Sequence, residues 1–192
     1  MAWAPDYTTT DLLKSYLHIQ HDDNDLWLAS WITAVSRNVD DYCSRQFGQV
    51  AIVEERTYTP VWDRYEQKTY VEIDDLQNTT DFALVDYYGT AITDYVFEPK
   101  NALVKGGVYT RLYIEAQYSR DLTATGLWGW NAVPASIPTA LYLQAARLAA
   151  RRTSPFGIAG SPNDGNEIRL LAQLDPDFKT TLKPFIRKWY VR

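Results

Sequence analysis

A single cysteine, Cys43, and only two histidines occur in the 192 residues. One thiol excludes an intramolecular disulfide, and its place on an apolar helical stripe reads as a buried small hydrophobe. No apolar run approaches the roughly 20 residues that a membrane span needs, so no membrane partner is expected. Neither GxGxxG nor GxxxxGK[ST] is present, and nothing supports nucleotide binding through such loops. Ser30 and Ser36 fall on a long helix and not on a nucleophile elbow. Residues 1–10 carry Asp6 and no basic side chain, which does not read as a signal peptide. An intracellular protein, or one assembled in a reducing cytosol, is the expectation.

Two clusters invite a chemical reading and are better explained otherwise. His18 and His21 beside Asp22, Asp23 and Asp25 have spacing for a metal, but no cysteine is near. The acidic run also lacks the glycine and distal glutamate of a calcium loop, so a solvated helix–helix turn is preferred. Asp74 and Asp75, with Asp63, Glu66 and Asp81 nearby, sketch a hydrolase site on paper. Adjacent strand residues point to opposite faces, however. No catalytic residue, cofactor or metal is expected, and the chain is not read as an enzyme.

Aromatic residues are abundant, with 7 Trp and 14 Tyr. These serve a core, and they also suit protein interfaces, where Tyr and Trp concentrate. Charge is segregated along the chain. Residues 1–49 hold three basic and seven acidic side chains, net −4; residues 50–133 hold seven and thirteen, net −6. Residues 134–192 hold nine and four, net +5. The acidic parts argue against a general nucleic-acid binder, and the basic tail suits an acidic partner surface.

The longest periodic stretch is 22–47. Leu28, Trp31, Ile32, Val35, Val39, Tyr42, Cys43 and Phe47 form one stripe, widened by Leu26, Trp27 and Ala34. Asp22 or Asp23 is the expected cap and Gly48 the stop. A short helix over 11–17 precedes it, with Thr8 and Asp11 as a capping pair. From Val50 the period shifts towards two. Strands are expected near 52–59, 65–73, 82–87, 92–97 and 109–117, forming a small antiparallel sheet or partly open barrel. Trp128 and Trp130, between glycines, read as a structural wedge closing that sheet against the helices. A helix over 139–152 follows, slim with alanine, and is expected beside 22–47. Residues 154–166 read as an exposed, glycine-rich loop carrying Phe156 and Ile158. Asp175-Pro176 starts a last helix over 175–188, with Pro184 marking a bend.

These readings give an α+β fold: a helical bundle core with an inserted antiparallel β-rich subdomain. The core comprises 1–49 and 134–192, and the insertion is 50–133.

Three stretches, in order, resemble the head–tail connector (adaptor, or head completion) proteins of tailed bacteriophages. The first runs from Tyr7-Thr8 through Asp11-Leu12-Leu13-Lys14-Ser15-Tyr16-Leu17 and Asp22-Asp23-Asn24-Asp25 to Asp41-Tyr42-Cys43-Ser44-Arg45-Gln46-Phe47-Gly48. The second is Gly129-Trp130, Val133-Pro134 and Ile137-Pro138-Thr139-Ala140, leading to Arg147-Leu148 and Arg151-Arg152. The third is Ser154-Pro155-Phe156-Gly157 with Leu182-Lys183-Pro184-Phe185. The resemblance implies a virion protein at the head–tail interface of the capsid vertex, made in the bacterial host cytoplasm. Its partners would be the portal protein, a stopper or tail-completion protein, and copies of itself in a ring, commonly of twelve. Double-stranded DNA would pass through the centre during packaging and ejection. On this chain, docking to portal or neighbour would fall to Phe156, Ile158, Phe178, Lys183, Phe185, Lys188 and Trp189. The free protein is expected to be monomeric or only weakly associated. The alternative reading is a carbohydrate- or protein-binding virion module with an aromatic-rich β face.

Overall fold

The computed structural model describes residues 4–153, 158–159, 168–169 and 174–188. The chain divides into two compact units, 1–46 with 133–192, and 47–132. The sequence reading had set these boundaries at 49/50 and 133/134.

In the first unit, helix α1 spans Thr10–Leu17 and starts at Thr9, whose Oγ1 accepts from the Leu12 amide at 3.4 Å. His18, in the left-handed region (φ 56), ends it. Helix α2, Asp25–Cys43, is shorter than the expected 22–47 at both ends. Asp22 and Asp23 do not cap it: Asn24 is the N-cap, and Asp22 instead holds Lys14. Ser44, left-handed at φ 53, stops the helix before Gly48 is reached. Leu28, Ile32, Val35, Ser36, Val39 and Cys43 are its buried positions, three or four apart as a helix face requires.

Helix α3, Ser136–Thr153, packs directly on α2. Its buried positions are Ile137, Ala140, Leu141, Gln144 and Ala145, where the small residues allow close approach. Helix α4 is Pro176–Leu182, with the Asp175 carboxylate accepting from the Asp177 and Phe178 amides at 2.8 and 3.4 Å. A 3₁₀ turn, Lys183–Phe185, follows, because Pro184 lacks the amide that an α-helix would use. The expected single helix over 175–188 is therefore two short pieces. Between α3 and α4, strands β8 (Ile158–Ala159) and β9 (Ile168–Arg169) pair antiparallel. The rest of the expected 154–166 loop lies outside the described residues.

The second unit is built from strands. These are β1 (Glu54–Tyr58), β2 (Val61–Asp63), β3 (Lys68–Leu76), β4 (Asn78–Val85), β5 (Val96–Glu98), β6 (Tyr109–Ile114) and β7 (Leu122–Leu127). They form two antiparallel sheets, ordered β1-β7-β4 and β2-β3-β6-β5. Asp63 makes the β2–β3 turn, its Oδ1 accepting from the Tyr65 and Glu66 amides at 2.9 and 3.3 Å. Most of the expected 92–97 strand is not a strand, although the Ile92 amide bonds the Leu84 carbonyl at 2.8 Å.

The expected fold class is overturned. Instead of a helical bundle core carrying an insertion, the described residues hold four α-helices, two antiparallel sheets with seven strands between them, and the short β8–β9 pair. Two of those helices have only 8 and 7 residues. The strands have a core of their own: Val71, Ile73, Leu76, Leu84, Leu112, Ile114, Leu122, Ala124 and Trp128 are all at most 2% exposed. That burial makes the β-unit self-supporting instead of an appendage. Strand β7, central in its sheet, had not been expected at all. Its buried members are Leu122, Ala124 and Gly126, of which two are too small to register as an apolar alternation.

Entry to and exit from the β-unit run side by side. Gly48 O accepts from the Trp130 amide at 2.8 Å, and Trp128 O from the Val50 amide at 2.9 Å. Gly129 lies between them at φ 109, and a Cβ there would come within 2.0 Å of the Gly48 carbonyl oxygen.

Gly129→Ala is accordingly expected to destabilise the protein by about 3 kcal/mol or more, from clash and backbone strain together. Leu141→Ala, at a fully buried site between helices, is expected to cost about 2–5 kcal/mol, and half-buried Leu148→Ala less. Urea unfolding followed by circular dichroism checks all three; an unchanged midpoint for Gly129→Ala would contradict the crossing as described.

Candidate assembly surfaces

The N-terminal end of α2 presents the first surface. Lys14, almost buried, makes ion pairs with Asp22 and, at 2.9 Å, with Asp25. The hydrogen bond to Asp22, and next that to Asp25, pushes the Lys14 ammonium above its ordinary value. The same contact holds the Asp22 carboxyl below its own. These pairs fix the α1–α2 connection, and beside it Leu26 and Trp27 stand 89% and 56% exposed. On α1, Leu12 and Tyr16 are 55% and 45% exposed, and Tyr16 stacks on Tyr142 of α3 with centroids 5.1 Å apart. The side chains that widened the sequence stripe therefore face outward while Leu28 and Ile32 fill the core. Of the two histidines once weighed as ligands, His18 caps α1 and His21 lies 3.7 Å from Asp23. Among the described residues no group of three or more His, Cys, Asp or Glu is placed to hold a metal ion.

A strap, residues 5–7, runs along the C-terminal half of α2. Thr33, Ser36, Arg37 and Asp40 share one face of the helix. Thr33 donates to Asp6 at 2.9 Å, Ser36 accepts from the Tyr7 amide at 3.2 Å, and Arg37 donates to the Pro5 carbonyl. Asp40 accepts from the Tyr7 hydroxyl and pairs with Arg37 at 3.2 Å. Burial outweighs these favourable contacts and raises the Asp40 carboxyl above its ordinary value. Cys43, on the same helix, has its thiol pushed up to about 12 by burial, leaving negligible thiolate at neutral pH.

The C-terminal surface lies at the other end of α2, where the Arg187 amide donates to the Cys43 carbonyl at 2.8 Å. Lys183, Pro184 and Lys188 are exposed there, and Phe185 and Ile186 are half-buried. Phe178, read as a docking residue, is fully buried, with its ring centroid 6.1 Å from that of Tyr42. It fills the unit's own core and offers no surface. Phe156 and Trp189 lie outside the described residues, and Ile158 is placed by its backbone in β8.

Trp128 and Trp130 are both buried. Trp128 donates to the Glu54 carbonyl at 2.9 Å and packs against Tyr58 and Phe82, with the Arg56 guanidinium 5.1 Å from its ring centroid. Trp130 packs on Phe47 and donates to Asp75 at 2.9 Å. Asp74 turns the other way, accepting from Arg56 at 2.8 Å and from the Tyr58 hydroxyl at 2.9 Å. The two adjacent carboxylates thus serve different structural networks. Both indoles anchor the β-unit from within.

Two aromatic surfaces escaped the sequence reading. On the outer side of the four-stranded sheet, Tyr70 and Tyr113 are cross-strand partners, with Arg111 over Tyr70 and Lys68 over Tyr113 at 5.5 and 4.5 Å. Tyr70 alternates with buried Thr69 and Val71, a signal that was available. At the Asp86–Thr90 turn, Tyr87 and Tyr88 stand exposed with Arg120 over both rings at 4.8 and 5.3 Å. Only folding brings Arg120 there, so no local pattern announces it.

Because its folded-state carboxyl is raised, Asp40 contributes stability that is complete below its ordinary value of 3.8 and is lost as pH rises through the raised one. Asp40→Asn keeps an acceptor for Tyr7 but does not titrate. The wild-type advantage over Asp40→Asn, from urea melts, is therefore expected to shrink between pH 3.5 and pH 6. A constant or growing advantage would contradict the burial argument.

No helix among the described residues is long and apolar enough to cross a membrane. No family model matches this chain, and neither a curated protein nor a solved structure was found to be significantly similar to it.

Proposed function

We propose that this chain is a structural assembly subunit of a tailed-phage virion, a head–tail connector that joins as a ring to the portal. The observation that carries the reading is the exposure of Leu12, Tyr16, Leu26 and Trp27 on helices that bury a different stripe, Leu13 on α1 and Leu28, Ile32, Val35 and Val39 on α2. Large apolar side chains held out on a braced helical surface are unfavourable in water and are stabilised by burial against another protein. The ordered stretches resembling connector proteins point the same way. The corrected architecture removes one support, since the bundle expected from the resemblance is not the core of this fold. The reading therefore rests on surfaces and sequence order.

In such a ring, acidic residues facing the passage would repel the duplex and keep it from sticking. The net charge of −5 is consistent with that role. A second reading, a carbohydrate- or protein-binding virion module, has the Tyr70–Tyr113 face in its favour. Lys68 and Arg111 already cover one face of each ring, which leaves less aromatic surface for a sugar to stack on.

The test is binding to the portal protein of the same phage, read by co-sedimentation and electron microscopy, together with mass spectrometry of virions. Wild type is expected to bind portal as a ring and to be present in virions. Leu26→Asp with Trp27→Asp is expected to leave folding intact by circular dichroism and to weaken ring formation at least about tenfold, as loss of an interface anchor does. A wild-type chain that neither binds portal nor occurs in virions overturns the proposal.

A further inference from the structure

We infer that copies of this chain meet head to tail, the acidic Asp22–Trp27 end of one against the basic Lys183–Lys188 end of the next. This builds on the assembly-subunit reading, which supposes that copies meet, and adds where they do so and by what chemistry. Both ends belong to the same unit and lie at opposite ends of α2. Leu26 opens the helix, while the tail is tied by the Arg187 amide to the carbonyl of Cys43, the last helical residue. At about 1.5 Å per residue the two ends are roughly 25 Å apart.

Their chemistry is complementary. At the head, Asp22 and Asp23 have side chains 88% and 90% exposed and Asp25 41%, around Leu26 and Trp27. Lys14 is the basic group among them, and it is drawn inward. At the tail, exposed Lys183 and Lys188 and half-buried Lys179 surround Pro184 and Phe185. Asp41 and Asp177 are exposed nearby, Arg45 is half-buried, and the balance stays positive. Each end thus has an apolar centre with a rim in which one sign predominates, the arrangement that gives both adhesion and orientation. Head against head and tail against tail place like charges together. Head against tail pairs opposite charges and leaves a free end of each sign on every copy, so the contact is heterologous and propagates into a closed ring or a chain. The rims are solvent-exposed, so the contact is weak alone and sensitive to salt.

The test is sedimentation velocity and light scattering of the full chain, from micromolar to millimolar, at low and high salt. Wild type is expected to form species larger than a dimer at high concentration and low salt, and to dissociate on adding salt. Asp22→Lys with Asp23→Lys, and separately Lys183→Glu with Lys188→Glu, are each expected to stay monomeric, whereas an equimolar mixture of the two variants assembles again. Leu26→Glu, at a position with no packing role, weakens association without touching the Lys14 ion pairs. Wild type that remains monomeric at every concentration, assembly that stops at a dimer, or variants that associate like wild type each overturns the inference. Portal binding by wild type is a separate readout: if it persists, the head-to-tail contact alone has failed; if it is absent, the connector reading has failed as well.

Discussion

The backbone crossing at Gly129 is the constraint on which the β-unit depends. Its amide donates to the Asp75 carbonyl at 2.6 Å, its carbonyl accepts from the Gln77 amide at 3.1 Å, and its neighbours bond Gly48 and Val50. Three segments therefore meet at one residue: the entry, the end of β3 and the exit. A side chain does not fit, because the Gly48 carbonyl occupies the space. Since the chain enters and leaves at adjacent points, residues 1–46 and 133–192 are free to form one unit although a whole domain separates them in sequence. Trp128 and Trp130 flank the crossing, and their indole N–H groups bond Glu54 and Asp75 inside the fold. Buried tryptophan tolerates its polar edge only with such partners.

The helical unit follows a different logic. Its interior is built around α2 and α3 and completed by Leu13 of α1 and by Phe178 and Leu182 of α4, and tyrosine does much of the fastening. Tyr7 ties the N-terminal segment to Ser36 and Asp40, and Tyr142 bonds Thr8 at 2.9 Å while stacking on Tyr16. Asp175 caps α4, pairs with Arg147 at 3.2 Å, and through its own amide donates to Gln144 at 2.9 Å. The result is a small core beyond which Leu12, Tyr16, Leu26 and Trp27 stand exposed.

Chemistry and assembly are read from the same carboxylates. Asp74 and Asp75 look like a pair only on paper, since folding sends one to Arg56 and Tyr58 and the other to Trp130. Asp22 looks like a cap, yet with Asp25 it braces Lys14. In both cases the partner that holds the carboxylate lies in another element, and the fold and not the adjacent sequence brings it within reach.

Local chemistry determined much of this protein. The period of three to four marks α2, Asp175-Pro176 marks the start of α4, and Pro184 marks its end, since each depends on neighbours within one turn. The burial of Cys43 was legible for the same reason. Tertiary structure decided what no window of sequence contains. Strand β7 exists because β1 and β4 pair with it on its two sides, although Ala124 and Gly126 are small residues with weak strand preference of their own. Phe178 became core and Trp27 surface, although both sit on amphipathic helices, because the partner helices cover one stripe and leave the other. The helical-bundle expectation failed on the same point. Periodicity counts helices, but which element surrounds a core is settled by contacts between residues far apart in the chain.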